Sequence, residues 1–209
     1  MKKFLKPLLL LVALGLLAYN SVYFKKLDAV KKNTQQKFDA VAFTQQLWKD
    51  KMIARLDSAV ELSVLINAIA KEPEAAFNNY TNSLAVGNYR YAMVKFNAEV
   101  VDAGEDELLL KLPVADSFLT VKLATEFIYG NALRDASKLL MIRDFPNTAD
   151  LNAVSEELNK TVRSTVVAPF KQTVKKGDKI AVVGAIEINK AHVNWKGLEV
   201  IPARLQNNQ

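Results

Sequence analysis

The sequence predicts an α+β protein in three parts, and three observations carry that prediction. The N-terminus is a long apolar stretch with a lysine-rich start. Apolar residues then recur at three- and four-residue steps as far as about residue 80. From residue 83 onward the pattern switches to alternation with a period of two. The expected boundaries are 1–26 for a membrane anchor or uncleaved signal, 27–82 for a helical segment, and 83–209 for a β domain on which that segment packs.

The first part reads M-K-K-F-L-K-P-L-L-L-L-V-A-L-G-L-L-A-Y-N-S-V-Y-F. Pro7 to Phe24 makes 18 residues, roughly 27 Å of helix at 1.5 Å per residue, close to the thickness of a hydrocarbon core. Tyr19, Tyr23 and Phe24 stand near the far end, where aromatic rings favour the interface. The competing reading is a cleaved export signal. Ala13-Leu14-Gly15 has the small-residue spacing but leaves too short an apolar run before it, and a cut after Ala18 puts Leu16 at the outer position. Lys2, Lys3 and Lys6 favour a cytoplasmic N-terminus, while Lys25, Lys26, Lys31 and Lys32 follow the helix and nearly cancel that bias. Both readings export the rest of the chain. The expectation is a single-pass inner-membrane protein with a periplasmic C-terminal domain, held through residues 7–24.

In the second part Phe38, Val41, Trp48, Met52, Leu56 and Val60 form an apolar stripe that Phe43 and Leu47 widen. Ser58 and Glu61 have capping-box spacing, which predicts a new helix from about Asp57 with Leu62, Leu65, Ile66 and Ile69 on its apolar face. Pro73 suits the first turn of a third helix, from Glu72 to Tyr80.

The third part opens with a long strand. Tyr91, Met93, Lys95 and Asn97 alternate with Ala92, Val94, Phe96, Ala98 and Val100. Asp102-Ala-Gly-Glu-Asp makes a turn, Glu107 to Leu112 a second strand, and Ser117 to Leu123 a third. Asn147 or Thr148 caps a helix carrying Leu151, Val154, Leu158, Val162 and Val166, which Pro169 closes. Lys175-Lys-Gly-Asp is a turn, and strands follow from Lys179 to Ile188 and from Leu198 to Leu205. Three strands, a helix and two strands is the element order of an OB-fold, a five-stranded barrel with its helix between the third and fourth strands. That fold hosts many functions and does not by itself name one.

Composition closes several classes of chemistry. The chain has 28 Lys+Arg against 22 Asp+Glu, but five lysines lie in the first 26 residues, where there is no acid. The remainder carries a net charge of +1, and no aromatic ladder interleaved with Lys and Arg marks its strands, so nucleic acid is not an expected partner. There is no cysteine, which removes thiol catalysis, thiolate metal sites and a lipidated N-terminal cysteine. The lone histidine, His192, cannot build a multi-histidine metal centre. The seven glycines are scattered singly, so no phosphate-binding loop is visible, and no cofactor is implied.

The densest polar cluster is Tyr129-Gly-Asn-Ala-Leu-Arg-Asp135. Arg134 offers the fork of donors that grips a carboxylate or sugar hydroxyls, and Asn131 and Asp135 supply donors and acceptors of the kind polyols need. The alternative is that Arg134 and Asp135 pair with neighbours and Gly130 makes a turn. Asn189 and Trp195, near one hairpin with Glu187 and His192, are further ligand-binding candidates, since sugar sites stack a ring on an aromatic. The bland reading of Trp195 is a cover over the end of the barrel. No pair of carboxylates has a spacing that demands acid–base chemistry, so no catalytic residue is assigned.

Several stretches together carry a resemblance. They are Phe127-Ile-Tyr-Gly-Asn-Ala-Leu-Arg-Asp-Ala, Asp144-Phe-Pro-Asn-Thr with Leu151-Asn-Ala-Val-Ser, and Gly184-Ala-Ile-Glu-Ile-Asn with Ile201-Pro-Ala-Arg-Leu. Leu27-Asp, Phe38-Asp-Ala and Glu72-Pro-Glu-Ala-Ala-Phe fit as well. From residue 20 to 205 the chain resembles a bacterial domain-of-unknown-function family of predicted periplasmic lipoproteins, members of which are often encoded beside sugar ABC transporters. The resemblance implies an accessory role in sugar uptake and carries over no catalytic residue. With no cysteine to take a lipid, a helical anchor has to replace it. The leading expectation is therefore a non-enzymatic, membrane-anchored periplasmic accessory or binding protein with a sugar ABC transporter as partner. Two alternatives stand beside it. One is an enzyme acting on envelope carbohydrate through Asp135, Glu126 or Glu187, which a shared pocket of carboxylates would favour. The other is a structural protein docking through an apolar groove along residues 38–60.

Overall fold

A computed structural model of the chain describes residues 14–17, 19, 38–115 and 117–208. The chain divides into two compact units, Met1–Phe38 and Asp39–Gln209. In the first, residues 14–17 and 19 are helical and exposed. Most of the expected anchor over residues 7–24 lies outside the described residues, and no helix among those described is long and apolar enough to cross a membrane.

The second unit begins with α1 (Ala40–Leu47), capped by Asp39, whose carboxylate accepts from the Ala42 N–H at 3.0 Å. A π-turn over Trp48–Met52 leads into α2 (Ile53–Asp57). The buried positions are Thr44, Leu47, Met52 and Leu56, so the stripe takes one five-residue step where the turn widens. The helix expected to start near Asp57 begins later. Ser58 spends its hydroxyl on Arg55, with a bond to the Arg55 carbonyl at 2.8 Å, and caps nothing. Val60–Glu61 instead forms a short strand, β1, parallel to β2, and α3 (Leu62–Lys71) follows without a side-chain cap. Pro73 opens α4 (Pro73–Tyr80) as its sequence position predicts.

The five expected strands are β2 (Tyr89–Ala103), β3 (Glu107–Val114), β4 (Ser117–Ala124), β5 (Lys179–Asn189) and β6 (Glu199–Asn207). Hydrogen-bonded neighbours run β2–β3–β4–β6–β5, and β5 pairs back onto β2 from Tyr89↔Asn189 to Glu99↔Lys179. The β4–β6 join is parallel and narrow, two residue pairs from Lys122↔Glu199 to Leu123↔Val200. β5 and β6 shift register between Val183 and Gly184. There a Cβ on residue 184 would stand 2.5 Å from the Ile201 carbonyl oxygen, so only glycine permits that backbone approach.

The interior is apolar. Val94, Val100, Leu110, Val121, Leu123, Ile180 and Val200 are fully buried and share one core with Leu62, Leu65 and Phe77 from α3 and α4. Burying side chains of this size contributes about 1.5–3 kcal/mol each, which is why a period of two on the strands and of three and four on the helices is retained. Alternation in β2 holds from Lys95 to Val100, but Tyr91 to Val94 are all buried, because α5 (Ala132–Ser137) covers the second face of that half.

Between β4 and β5 the chain builds more than the single helix expected. α5 comes first, then a 3₁₀ turn (Ile142–Asp144), then α6 (Thr148–Thr161), capped by Asn147. Pro169 does not close that helix. A π-turn over Val162–Val167 puts the Ala168 N–H on the Arg163 carbonyl, five residues back, and α7 (Ala168–Lys171) continues. Proline lacks an N–H, and here it falls where the ladder changes step.

Candidate functional site

The chain leaves β4 at Ala124 and is pinned by the Thr125 and Glu126 N–H groups, which both donate to the Asp106 carbonyl. Ile128 is fully buried and anchors the segment. Its neighbours Phe127 and Tyr129 face outward, 58% and 68% exposed, with ring centroids 6.4 Å apart. Gly130 then turns with φ +76°, a conformation that strains any residue with a Cβ. α5 follows, with Leu133 to Ser137 buried without a break.

Within α5 sits a polar nucleus. Arg134 Nε donates to Asp135 Oδ1 at 2.6 Å, and both residues are buried, Asp135 completely. The second carboxylate oxygen accepts from Asn131 Nδ2 at 2.7 Å and from the Leu84 N–H at 3.3 Å. Asn82 Nδ2 donates to the Asp135 carbonyl at 2.9 Å, so the segment after α4 is tied to the same residue. Arg134 Nη1 donates to Ser155 Oγ at 3.0 Å and to Asn152 Oδ1 at 3.3 Å on α6. A buried charge is tolerable only with this density of partners. Asn131 Oδ1 in turn accepts from the Tyr91 hydroxyl at 3.4 Å. The Tyr91 hydroxyl is pushed up to about 12, first by burial and then by the neighbouring Glu187 carboxylate.

One face of α6 completes a cleft. Leu151, Val154, Leu158 and Val162 point to the core, while Asn152, Ser155, Glu156, Asn159 and Arg163 make a polar stripe beside them. That stripe forms one wall, and Ile128, Tyr129, Gly130, Asn131 and Arg134 form the other, around a volume of about 530 Å³. Asn159 Nδ2 bonds the Gly130 carbonyl at 2.9 Å and ties the walls together. Arg163 Nη1 donates to the Ile128 carbonyl, and its guanidinium carbon lies 5.6 Å from the centre of the Tyr129 ring. Residues 129–132 also wall a smaller hollow of about 290 Å³, shared with Glu187, Glu199 and Lys196.

The structure gathers four of the six candidate residues and leaves two elsewhere. Tyr129, Asn131 and Arg134 line the cleft, and Asp135 sits behind them as the buried counter-ion. Arg134 and Asp135 do pair with one another, yet Arg134 still borders the cleft. Asn189 ends β5 and spends its Oδ1 on the Ala191 N–H at 3.0 Å. Trp195 is half-buried and packs against the core. Sequence reasoning missed the α6 stripe. Its only signal was polar residues at helical spacing, which a solvated face shows equally.

The carboxylates that an enzyme reading would use are dispersed. Asp135 is sealed in its ion pair, Glu187 lines the smaller hollow, and Glu126 is exposed on the loop after β4. Glu156 is the one carboxylate on the larger cleft's wall. Among described residues, three or more His, Cys, Asp or Glu nowhere form a metal-binding group. The stripe over residues 38–60 is spent on the chain itself, since Leu47, Met52 and Leu56 are buried and Val41 and Ile53 are its exposed large apolar residues.

The architecture is that of an OB-fold protein. A crystal structure of an OB-fold protein from Thermotoga maritima matches with a TM-score of 0.73 at 23% identity, covering 83% of this chain and 100% of that one. A chain of the S. pombe Stn1–Ten1 complex matches at a TM-score of 0.24 and 12% identity over 56% of this chain and 58% of that one, too weakly to carry an argument. No curated protein matches the chain. The family model described as a predicted periplasmic lipoprotein (DUF2291) matches residues 12–206, and the chain belongs to that family. The description places it in the cell envelope, although these 209 residues hold no cysteine that could carry a lipid.

Proposed function

We propose that this protein is a non-enzymatic accessory or binding protein, tethered to the periplasmic face of the inner membrane and serving a sugar ABC transporter. The observation that carries the proposal is the cleft along α6, whose wall is amides, a hydroxyl, guanidiniums and a lone carboxylate beside an exposed tyrosine ring. That set matches the hydroxyls and the apolar face of a small sugar, and it lacks a second carboxylate for acid–base chemistry. The apolar segment over residues 7–24 takes the part that a lipid takes in a lipoprotein, because no cysteine is present. The link to sugar transport comes from the gene neighbourhood that the family resemblance implies. A tether raises the concentration of the domain beside a membrane partner.

Crosslinking the full chain in native membranes, followed by affinity capture and mass spectrometry, tests the proposal. Recovery of sugar-transporter subunits is the expected result. Capture of peptidoglycan-processing proteins without any transporter subunit would overturn the transport assignment.

A further inference from the structure

We infer that the α6 cleft takes a polyhydroxylated carboxylate, a sugar acid of monosaccharide size, and that Arg163 holds its carboxylate. The inference rests on reading the cleft as a ligand site. Two guanidinium groups reach this cleft, and they differ in how their charge is met. Arg134 has the Asp135 carboxylate at 2.6 Å, and two further bonds to Asn152 and Ser155 fix its remaining orientation. Arg163 has no carboxylate within ion-pair distance among the described residues. It gives Nη1 to the Ile128 carbonyl and holds its guanidinium carbon 5.6 Å from the centre of the Tyr129 ring. Its Nε and Nη2 make no hydrogen bond to the described protein.

A guanidinium held this way is preorganised. Its side-chain entropy is already spent, its charge is not neutralised, and its free edge presents two parallel N–H donors. The group that matches two parallel donors and one unmet positive charge is a carboxylate accepting in a bidentate manner.

The rest of the wall asks for hydroxyls. Asn152 lies three and four residues before Ser155 and Glu156, and Asn159 three and four residues after Glu156 and Ser155, so the side chains of each such pair stand about 5–6 Å apart, close to the width of a sugar ring. Glu156 accepts hydroxyl protons and repels a second acidic group, which argues for a ligand with one charged end and one polyol end. It also disfavours a phosphate dianion that would fill the cleft. Tyr129 supplies an exposed ring face, and about 530 Å³ is within the usual range for small-ligand clefts.

The test is calorimetric titration of the full chain in detergent micelles with galacturonate, glucuronate and gluconate. Galactose and glucose serve as neutral counterparts and alanine as an amino-acid control. All are taken to about 10 mM, which reveals a millimolar site. One or more of the acids is expected to bind about tenfold or more tightly than its neutral counterpart, the yield of one charge-assisted pair. Added salt should weaken the acid and leave the neutral sugar unchanged. Arg163→Gln should bring the acid down to the affinity of the neutral sugar. Arg163→Lys keeps the charge without the fork and should fall between, which separates loss of recognition from loss of folding. Equal binding of acids and neutral sugars would overturn the carboxylate assignment and leave the cleft a sugar site. Binding of alanine in preference to the acids would overturn the ligand class. Binding of none of them would overturn both this inference and the ligand-site reading beneath it.

Discussion

Inside the sheet, Val94, Leu110, Val121 and Leu123 are fully buried and meet the apolar side chains of one core. One helix away, Asp135 is buried just as completely, yet its side chain and carbonyl meet a guanidinium, two amides and a backbone N–H. The first interior is held by area and volume, so a loss there is local and graded. The second is a chain of partners, in which each group is tolerable only because the next is in place. It also reaches the surface: Arg134 borders the α6 cleft on one side, and Tyr91 meets Glu187 of the smaller hollow on the other. The comparison teaches that the part of the core that looks least economical is the part that fixes the walls of the candidate site.

Removing one member of the nucleus sharpens that contrast most. Asp135→Ala leaves Arg134 buried without its counter-ion and should cost about 3–5 kcal/mol in urea denaturation of the full chain. Leu123→Ala, at an equally buried apolar position, should cost about 2–5 kcal/mol. The discriminating readout is the cleft. The Asp135 variant should lose ligand affinity even under conditions where it stays folded, and the Leu123 variant should keep it. Equal affinity in both would break the claim that the polar nucleus positions the site.

A smaller effect concerns pH. Burial and Glu187 raise the Tyr91 hydroxyl to about 12, above its ordinary value near 10. A group raised in the folded state contributes stability that is complete below its unfolded value and is lost as pH rises through the folded one. The chain should therefore lose stability between about pH 10 and pH 12, and Tyr91→Phe should flatten that part of the profile measured by thermal melting. An unchanged alkaline limb would detach Tyr91 from the network. The smallest effect belongs to the surface. Arg204 pairs with Asp57 at 2.7 Å, both partly exposed, so Arg204→Ala should cost less than about 1 kcal/mol and less still in high salt.

Much of the fold was legible because apolar burial leaves a period. The five strands lie where alternation put them, and Asn147 caps α6 as its side chain predicts. The two π-turns were not legible, since each shifts the helical phase by one residue and a count at steps of three and four absorbs the shift. The Ser58–Glu61 spacing misled because Ser58 turns back to the Arg55 carbonyl while Glu61 joins a short strand that forms once β2 is there to pair with. In the site, the polar density at Tyr129, Asn131 and Arg134 marked one wall. The other wall, from Asn152 to Arg163, became a wall only when the segment 125–131 folded over it, and no local pattern encodes that packing. Asn189 and Trp195 were chosen by residue type, and their backbone turn and core contact absorb them.

The central claim is that ligand meets the chain along α6. The direct measurement is a titration of isotope-labelled full chain in detergent micelles with galacturonate, glucuronate and gluconate, followed by NMR of its side-chain N–H signals. The account predicts that one or more of these acids moves the amide signals of Asn152 and Asn159 and the Nε signal of Arg163, together and to saturation. The side-chain amides of Asn97 on β2 and Asn208 just beyond β6, which are exposed and hydrogen-bonded to each other at 3.0 Å, should stay still. Movement at Asn97 and Asn208 with Arg163 unmoved would contradict it and put the binding face on the sheet instead.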